Sequence, residues 1–239
     1  MMASAAHCQP TGRRPASSDE ITSFLAEHGD QFAGLNLTLG YSHDTRDTLA
    51  FPTRGTIHRL NLKGGVPNHD YPHYKLTYGF DTYAPLFGDT VLSLGVQADY
   101  GKGYGDTFET LPFFDRYYAG GVDSVRGFRG RSLGPRDSQG DAAGGDFRAL
   151  GTLALLFPPP IGGDSEDSLA PRRTRMSLFL DAGNVFTDYD SFSASGLRLS
   201  YGIGLTWLSP VGPLKFSLAK PIEEEDGDDL EPFQFNISF

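Results

Sequence analysis

The chain ends Phe233-Gln234-Phe235-Asn236-Ile237-Ser238-Phe239, an aromatic or branched apolar residue at every second position with Phe last of all. A strand of this pattern turns one apolar face to lipid or to a core, and sets Gln234, Asn236 and Ser238 against something wet. Exposed in water, such a terminal strand would aggregate, so its apolar face is buried either in a large fold or in a bilayer. The same period of two governs the chain from Gly34 onward, in nine stretches of about nine to thirteen residues separated by turn signals. Their apolar faces begin with Leu35, Leu37, Leu39 and Tyr41, then His58, Leu60 and Leu62, then Tyr74, Leu76, Tyr78 and Phe80. They continue with Leu92 to Tyr100, Ala149 to Leu155, Met176 to Ala182, Leu197 to Trp207, Leu214 to Leu218, and the terminal strand.

The opposite faces carry Arg59, Lys63, Lys75, Asp81, Gln97, Asp99, Arg148, Asp181, Arg198 and Lys215. A soluble two-sheet sandwich shares the alternation but joins its apolar faces in a core, and its strands usually run to about five or six residues. Strands of about ten residues, tilted by roughly 45°, match a bilayer instead. No window approaches the roughly 18 consecutive apolar residues of a membrane helix, and mean hydropathy is −0.32. With Gly 30, Phe 18 and Tyr 11 against one Trp, the composition suits twisted antiparallel strands. A net charge of −10 offers no basic patch for nucleic acid. Cys8 has no partner for an intramolecular disulfide.

Residues 1–18 read as a disordered N-terminus, without the basic start and apolar core of a secretory signal. Residues 19–33 read as a short helix or loop segment, with Ser18 or Asp19 as N-cap and Ile21, Phe24 and Leu25 at helical spacing. Residues 34–239 form the strand-bearing domain, interrupted by a long irregular loop over 102–144.

That loop contains Phe113-Phe114-Asp115-Arg116-Tyr117-Tyr118-Ala119-Gly120-Gly121-Val122-Asp123-Ser124-Val125-Arg126-Gly127-Phe128. It resembles the sixth extracellular loop of the BamA-type outer-membrane assembly-factor family, whose hallmark is a Val-Arg-Gly-Phe/Tyr tetrapeptide. Phe51-Pro52-Thr53-Arg54-Gly55 is similar to the family's Phe-Pro-Thr-x-Gly turn, and Phe179-Leu180-Asp181-Ala182-Gly183 to its Asp-x-Gly strand. Ser209-Pro210-Val211-Gly212-Pro213 is similar to its Ser-Pro-x-Gly-Pro turn, and the ending, with Phe233, Phe235, Ile237 and Phe239, to its C-terminal strand signal.

The resemblance implies an all-β fold, the C-terminal half, about nine antiparallel strands in a meander, of a sixteen-stranded transmembrane β-barrel in the cell outer membrane. Family members also carry a signal peptide and periplasmic domains, so this chain is expected to lack parts of the whole and not to close a pore alone. The loop folds inward, and Val125, Arg126, Gly127 and Phe128 form its contact motif. Asp181, on the polar face, is the expected inner-wall partner of Arg126. Gly127 allows close backbone approach and Phe128 packs beside it. Ala154 stands where relatives often place Glu, which thins the clamp. Function then lies at a seam: the terminal strands part and a client strand adds to the exposed edge by β-augmentation. The implied partners are the outer-membrane lipid bilayer, nascent β-barrel clients and, in the intact family, assembly-complex lipoproteins. Gly202, Gly204 and Gly212 either ease bending near the seam or accommodate curvature.

No cofactor, metal or catalytic residue is expected. Ser124 lacks a nucleophile-elbow context, and Pro72 keeps His69 and His73 off a common helical face. Glu223 to Asp229 reads as a solvated outer loop, and Phe157 to Arg173 as a long periplasmic turn. Three alternatives share parts of the pattern: a passive porin-like half-barrel whose loop is free of the wall, an autotransporter-assembly relative, and an inactive truncated gene product. The Phe-Gln-Phe ending favours the general assembly factor over the autotransporter relative.

Overall fold

The computed structural model describes residues 18–28, 34–65, 72–104, 109–159 and 173–237. Helix α1 (Asp19–His28) is followed by β1 (Asn36–Asp44), β2 (Gly55–Gly65), β3 (His73–Pro85) and β4 (Val91–Gly103). After the long loop, which contains the two-residue strand β5 (Gly127–Phe128), come β6 (Phe147–Phe157), β7 (Thr174–Phe186), β8 (Arg198–Ser209) and β9 (Gly212–Glu223). The chain then forms the short β10 (Leu230–Glu231) and β11 (Phe233–Ile237). Nine of these strands make one antiparallel meander in the order β1-β2-β3-β4-β6-β7-β8-β9-β11, while β5 pairs with β10. Within this sheet each strand bonds the next one along the meander, so β1 and β11 stand at its two edges.

The alternation becomes an inside-out distribution of polarity. Leu178, Leu180 and Tyr201 are 49%, 41% and 49% exposed, whereas Asp181, Ser200 and Gln234 on the other face are 0%, 0% and 5% exposed. A water-soluble sheet would reverse this assignment, since exposed apolar surface costs roughly 25 cal/mol per Å². Exposed Leu, Val, Tyr and Phe side chains recur from Leu37 to Ile237 as a continuous outward band, which fits a barrel wall facing lipid.

The sheet is curved, so its inner face forms a trough. The turn after β1 crosses the trough floor to β7, where Arg175 Nη1 donates to the Pro52 carbonyl at 2.8 Å and the guanidinium lies 5.8 Å from the Phe51 ring centroid. Asp47 shapes that turn by accepting from Thr53 N–H and Oγ1, and these bonds hold its carboxylate down at about 2. Gly55 closes it at φ +102°, where a Cβ would lie 2.4 Å from the Thr45 carbonyl oxygen. At the opposite end, α1 rests on the loop through an edge contact of Phe24 with Phe113 (5.3 Å).

Strand boundaries differ slightly from the expected ones. Leu35 and Leu197 fall just outside β1 and β8, and β4 runs to Gly103. Met1 to Ser17 with Cys8, residues 160–172 of the long turn, His69, Ser238 and Phe239 lie outside the described residues.

Candidate functional site

The long loop lies along the trough and touches the wall strand by strand. The ten charged or amidic side chains that the alternation assigns to the inner face all have partners, most of them across strands or on the loop. Arg59 pairs with Asp81, Arg148 Nε with Asp99 (2.7 Å), and Gln97 donates to Asp99. Lys63, Lys75 and His73 converge on Asp115 in the loop, at 2.6, 2.9 and 2.7 Å. Burial raises the Asp115 pKa, but the His73, Lys63 and Lys75 contacts outweigh it and hold the carboxyl well below the usual carboxylate range. Lys215 meets Asp123 at 2.6 Å, and Arg198 is held by Asp228 and Glu225.

Arg126, on the loop, meets the wall at Asp181. Its Nε and Nη2 donate to Asp181 Oδ2 and Oδ1, each at 2.7 Å, and its own backbone N–H donates to Oδ2 at 3.1 Å. Thr152 Oγ1 supplies a fourth donor to the fully buried carboxylate at 2.9 Å. The guanidinium carbon also lies over the Phe179 ring, 3.3 Å from its centroid. Phe179 alternates inward from Leu178 and Leu180 and packs with Ala154 and Ala219. Ala154 therefore belongs to the apolar bed beneath the stacked ring, and Thr152 and Phe179 supply contacts at the clamp that the motif alone did not disclose.

The rest of the tetrapeptide is backbone and packing. Val125 and Phe128 are completely buried with Ala119, Leu133 and Val185. Gly127 has φ +91°, and a Cβ there would lie 3.2 Å from Ala219 Cβ. Gly202 and Gly204 serve close approach: a Cβ on Gly202 would fall 2.6 Å from the Phe179 ring and 2.1 Å from the Leu218 carbonyl oxygen. Gly212 alone has a turn conformation, at φ +118°. Between loop and turn remains a cavity of about 470 Å³ bordered by Phe51, Ser93, Thr152, Arg175 and Lys215.

On the terminal strand, Phe233 and Phe235 point outward and are exposed, Ile237 shares their face, and Gln234 points inward. Gln234 Nε2 donates to the Phe128 carbonyl at 2.6 Å, joining the terminal strand directly to the loop motif. Alternation places Gln234 inward but gives no hint that its partner is the loop. The acidic segment is more than a solvated loop: Asp228 is almost wholly covered in its ion pair with Arg198. Ser124 accepts from Gly120 N–H, and His73 is engaged with Asp115.

The profile described as the Omp85 superfamily domain matches residues 5–239. The chain belongs to the Omp85 superfamily. The Omp85 chain is 35% identical over 228 residues to the outer membrane protein assembly factor BamA of Neisseria meningitidis, covering 84% of this chain and 28% of that protein. It is 30% identical over 214 residues to the sorting and assembly machinery component 50 homologue of Mus musculus, covering 82% of this chain and 44% of that one. The crystal structure of BamA from Haemophilus ducreyi lacking POTRA domains 1–3 superimposes with a TM-score of 0.78 at 28% identity, over 93% of this chain and 48% of that one. The chain thus spans less than half the length of these relatives. Family and outward apolar band together make it an outer-membrane barrel protein.

Proposed function

We propose that the protein assembles and inserts β-barrel proteins in the outer membrane by lending a sheet edge to an incoming client strand, with no covalent chemistry. The observation that carries this reading is the loop. It lies across the trough and is bonded to β2, β3, β7, β9 and β11, which obstructs the path a passive pore would need. A passive half-barrel is expected to leave this loop free of the wall, whereas here a fully buried carboxylate takes four donors from loop and wall.

In this reading Arg126 and Asp181 fix the loop, Val125, Gly127 and Phe128 seat it, and β11 presents the edge. Phe233, Phe235 and Ile237 anchor that strand in lipid. Main-chain N–H and C=O groups at an edge bind any strand of suitable register, so clients are read by strand form more than by sequence. In hydrocarbon an unpaired edge costs several kcal/mol, which drives the pairing. Partner lipoproteins and periplasmic domains of the intact family would deliver clients to this edge.

The test is reconstitution of the intact protein in vesicles of outer-membrane lipid with an unfolded barrel client. Client folding, read as acquired protease resistance, is expected to accelerate over empty vesicles, and Arg126→Ala is expected to abolish most of the gain. Ion conductance without acceleration would instead establish the passive channel.

A further inference from the structure

Gln234 is buried, yet nothing in its strand requires an amide there. Its side chain spans two backbone groups of the loop motif: Gly127 N–H donates to Oε1 at 3.4 Å, and Nε2 donates to the Phe128 carbonyl at 2.6 Å. Two residues on, along the same face, Asn236 Nδ2 donates to Asp123 Oδ2 at 2.8 Å, while Asp123 Oδ1 takes Lys215 Nζ from the neighbouring β9 at 2.6 Å. The segment entering the strand is tied in as well. Leu230 and Glu231 pair with Phe128 and Gly127, and Arg129 N–H donates to the Asp229 carbonyl at 2.8 Å. Among the described residues, β11 is paired in the sheet only with β9, over five residues.

We propose that Gln234 and Asn236 are positioning residues that clasp the edge strand to the loop, so that the seat of the loop on Asp181 sets how firmly β11 is held. This rests on the reading of β11 as the working edge. Side chains of a strand stand perpendicular to the sheet, whereas its main-chain N–H and C=O groups lie within it. The clasp therefore braces β11 from the trough side and uses none of the groups an incoming strand would pair with. Loop and edge become one mechanical unit: releasing the loop loosens the edge, and pairing at the edge feeds back on the loop.

The test is amide hydrogen exchange of the intact protein in lipid vesicles, comparing wild type with Gln234→Leu, Gln234→Glu and Asn236→Ala. Gln234→Leu is expected to speed exchange about tenfold in residues 233–237 and 123–129, the scale of one lost buried hydrogen bond, with β2 to β4 unchanged. Asn236→Ala, at a more exposed contact, should give a few-fold effect. Gln234→Glu carries the sharper readout. As a carboxylate it keeps the acceptor for Gly127 but has no donor for Phe128, and as a neutral acid it regains one, so protection corrected for intrinsic exchange should recover as pH falls. Wild-type exchange at β11 in Gln234→Leu, faster exchange spread evenly over all strands, or no acid recovery in Gln234→Glu would overturn the clasp. If Gln234→Leu does not fold, the acid recovery of Gln234→Glu decides alone. Client folding is measured separately, so a sound clasp without any client acceleration would count against the functional reading only.

Discussion

Asp181→Ala is the most demanding test of the loop clamp. It removes a buried carboxylate that accepts from Arg126 Nε, Nη2 and N–H and from Thr152 Oγ1, and leaves the guanidinium over Phe179 with no counter-charge. Deleting one partner of a buried ion pair costs about 3–5 kcal/mol, because the remaining charge stays desolvated. At about 1.4 kcal/mol per tenfold, the loop should open roughly two to four orders of magnitude more often. Amide exchange over residues 119–133 in lipid-embedded protein reads this opening directly, with β2 to β4 as the internal reference. Arg126→Ala should cost less, since Thr152 and nearby backbone still satisfy Asp181 in part. The double variant should be little worse than Asp181→Ala, because the two residues act as one unit. Additive effects of the two substitutions, or unchanged exchange in Asp181→Ala, would refute the clamp.

Four further outcomes are expected. Gly202→Ala drives a Cβ against the Leu218 carbonyl and the Phe179 ring, so it should destabilise by about 1–3 kcal/mol and expose the loop to protease, read by limited proteolysis. Leu94→Arg on the outward face should cost about 2–4 kcal/mol in vesicle folding if it sits near the bilayer midplane, while Ser93→Arg, one residue away and lining the trough cavity, should be far milder. Burial raises the Asp146 carboxyl to about 6, opposed by the Leu111 N–H it accepts. Because the folded pKa lies above the unfolded one, its stabilising contribution is full below about pH 4 and is lost as pH rises through about 6, so Asp146→Asn should raise stability at pH 8 and flatten that window in thermal unfolding scans. Asp115 has the opposite sign. Its contribution is present at neutral pH and fades as pH falls below the ordinary carboxylate range, so Asp115→Asn should loosen residues 113–118 at pH 7, measured by exchange.

The strand count, the outward face of each strand and the inward face of Asp181 were legible in the sequence because a strand has a period of two, and one slip of register would invert every side chain. The Val-Arg-Gly-Phe motif likewise lies in the loop that bonds to the wall. What periodicity could not decide is which inward residues meet. Arg126 and Asp181 are 55 positions apart, Gly127 and Gln234 are 107 apart, and Arg175 and Pro52 are 123 apart. Those contacts depend on the curvature of the whole sheet and on the path the loop takes across it. Phe179 shows the same division: alternation sends its ring inward, but only the bare backbone at Gly202 and the guanidinium arriving from the loop make it a platform. Local residue pattern determined the wall of this protein, and long-range packing of loop against wall decided its interior, since side-chain period is a property of one strand and contact is a property of several.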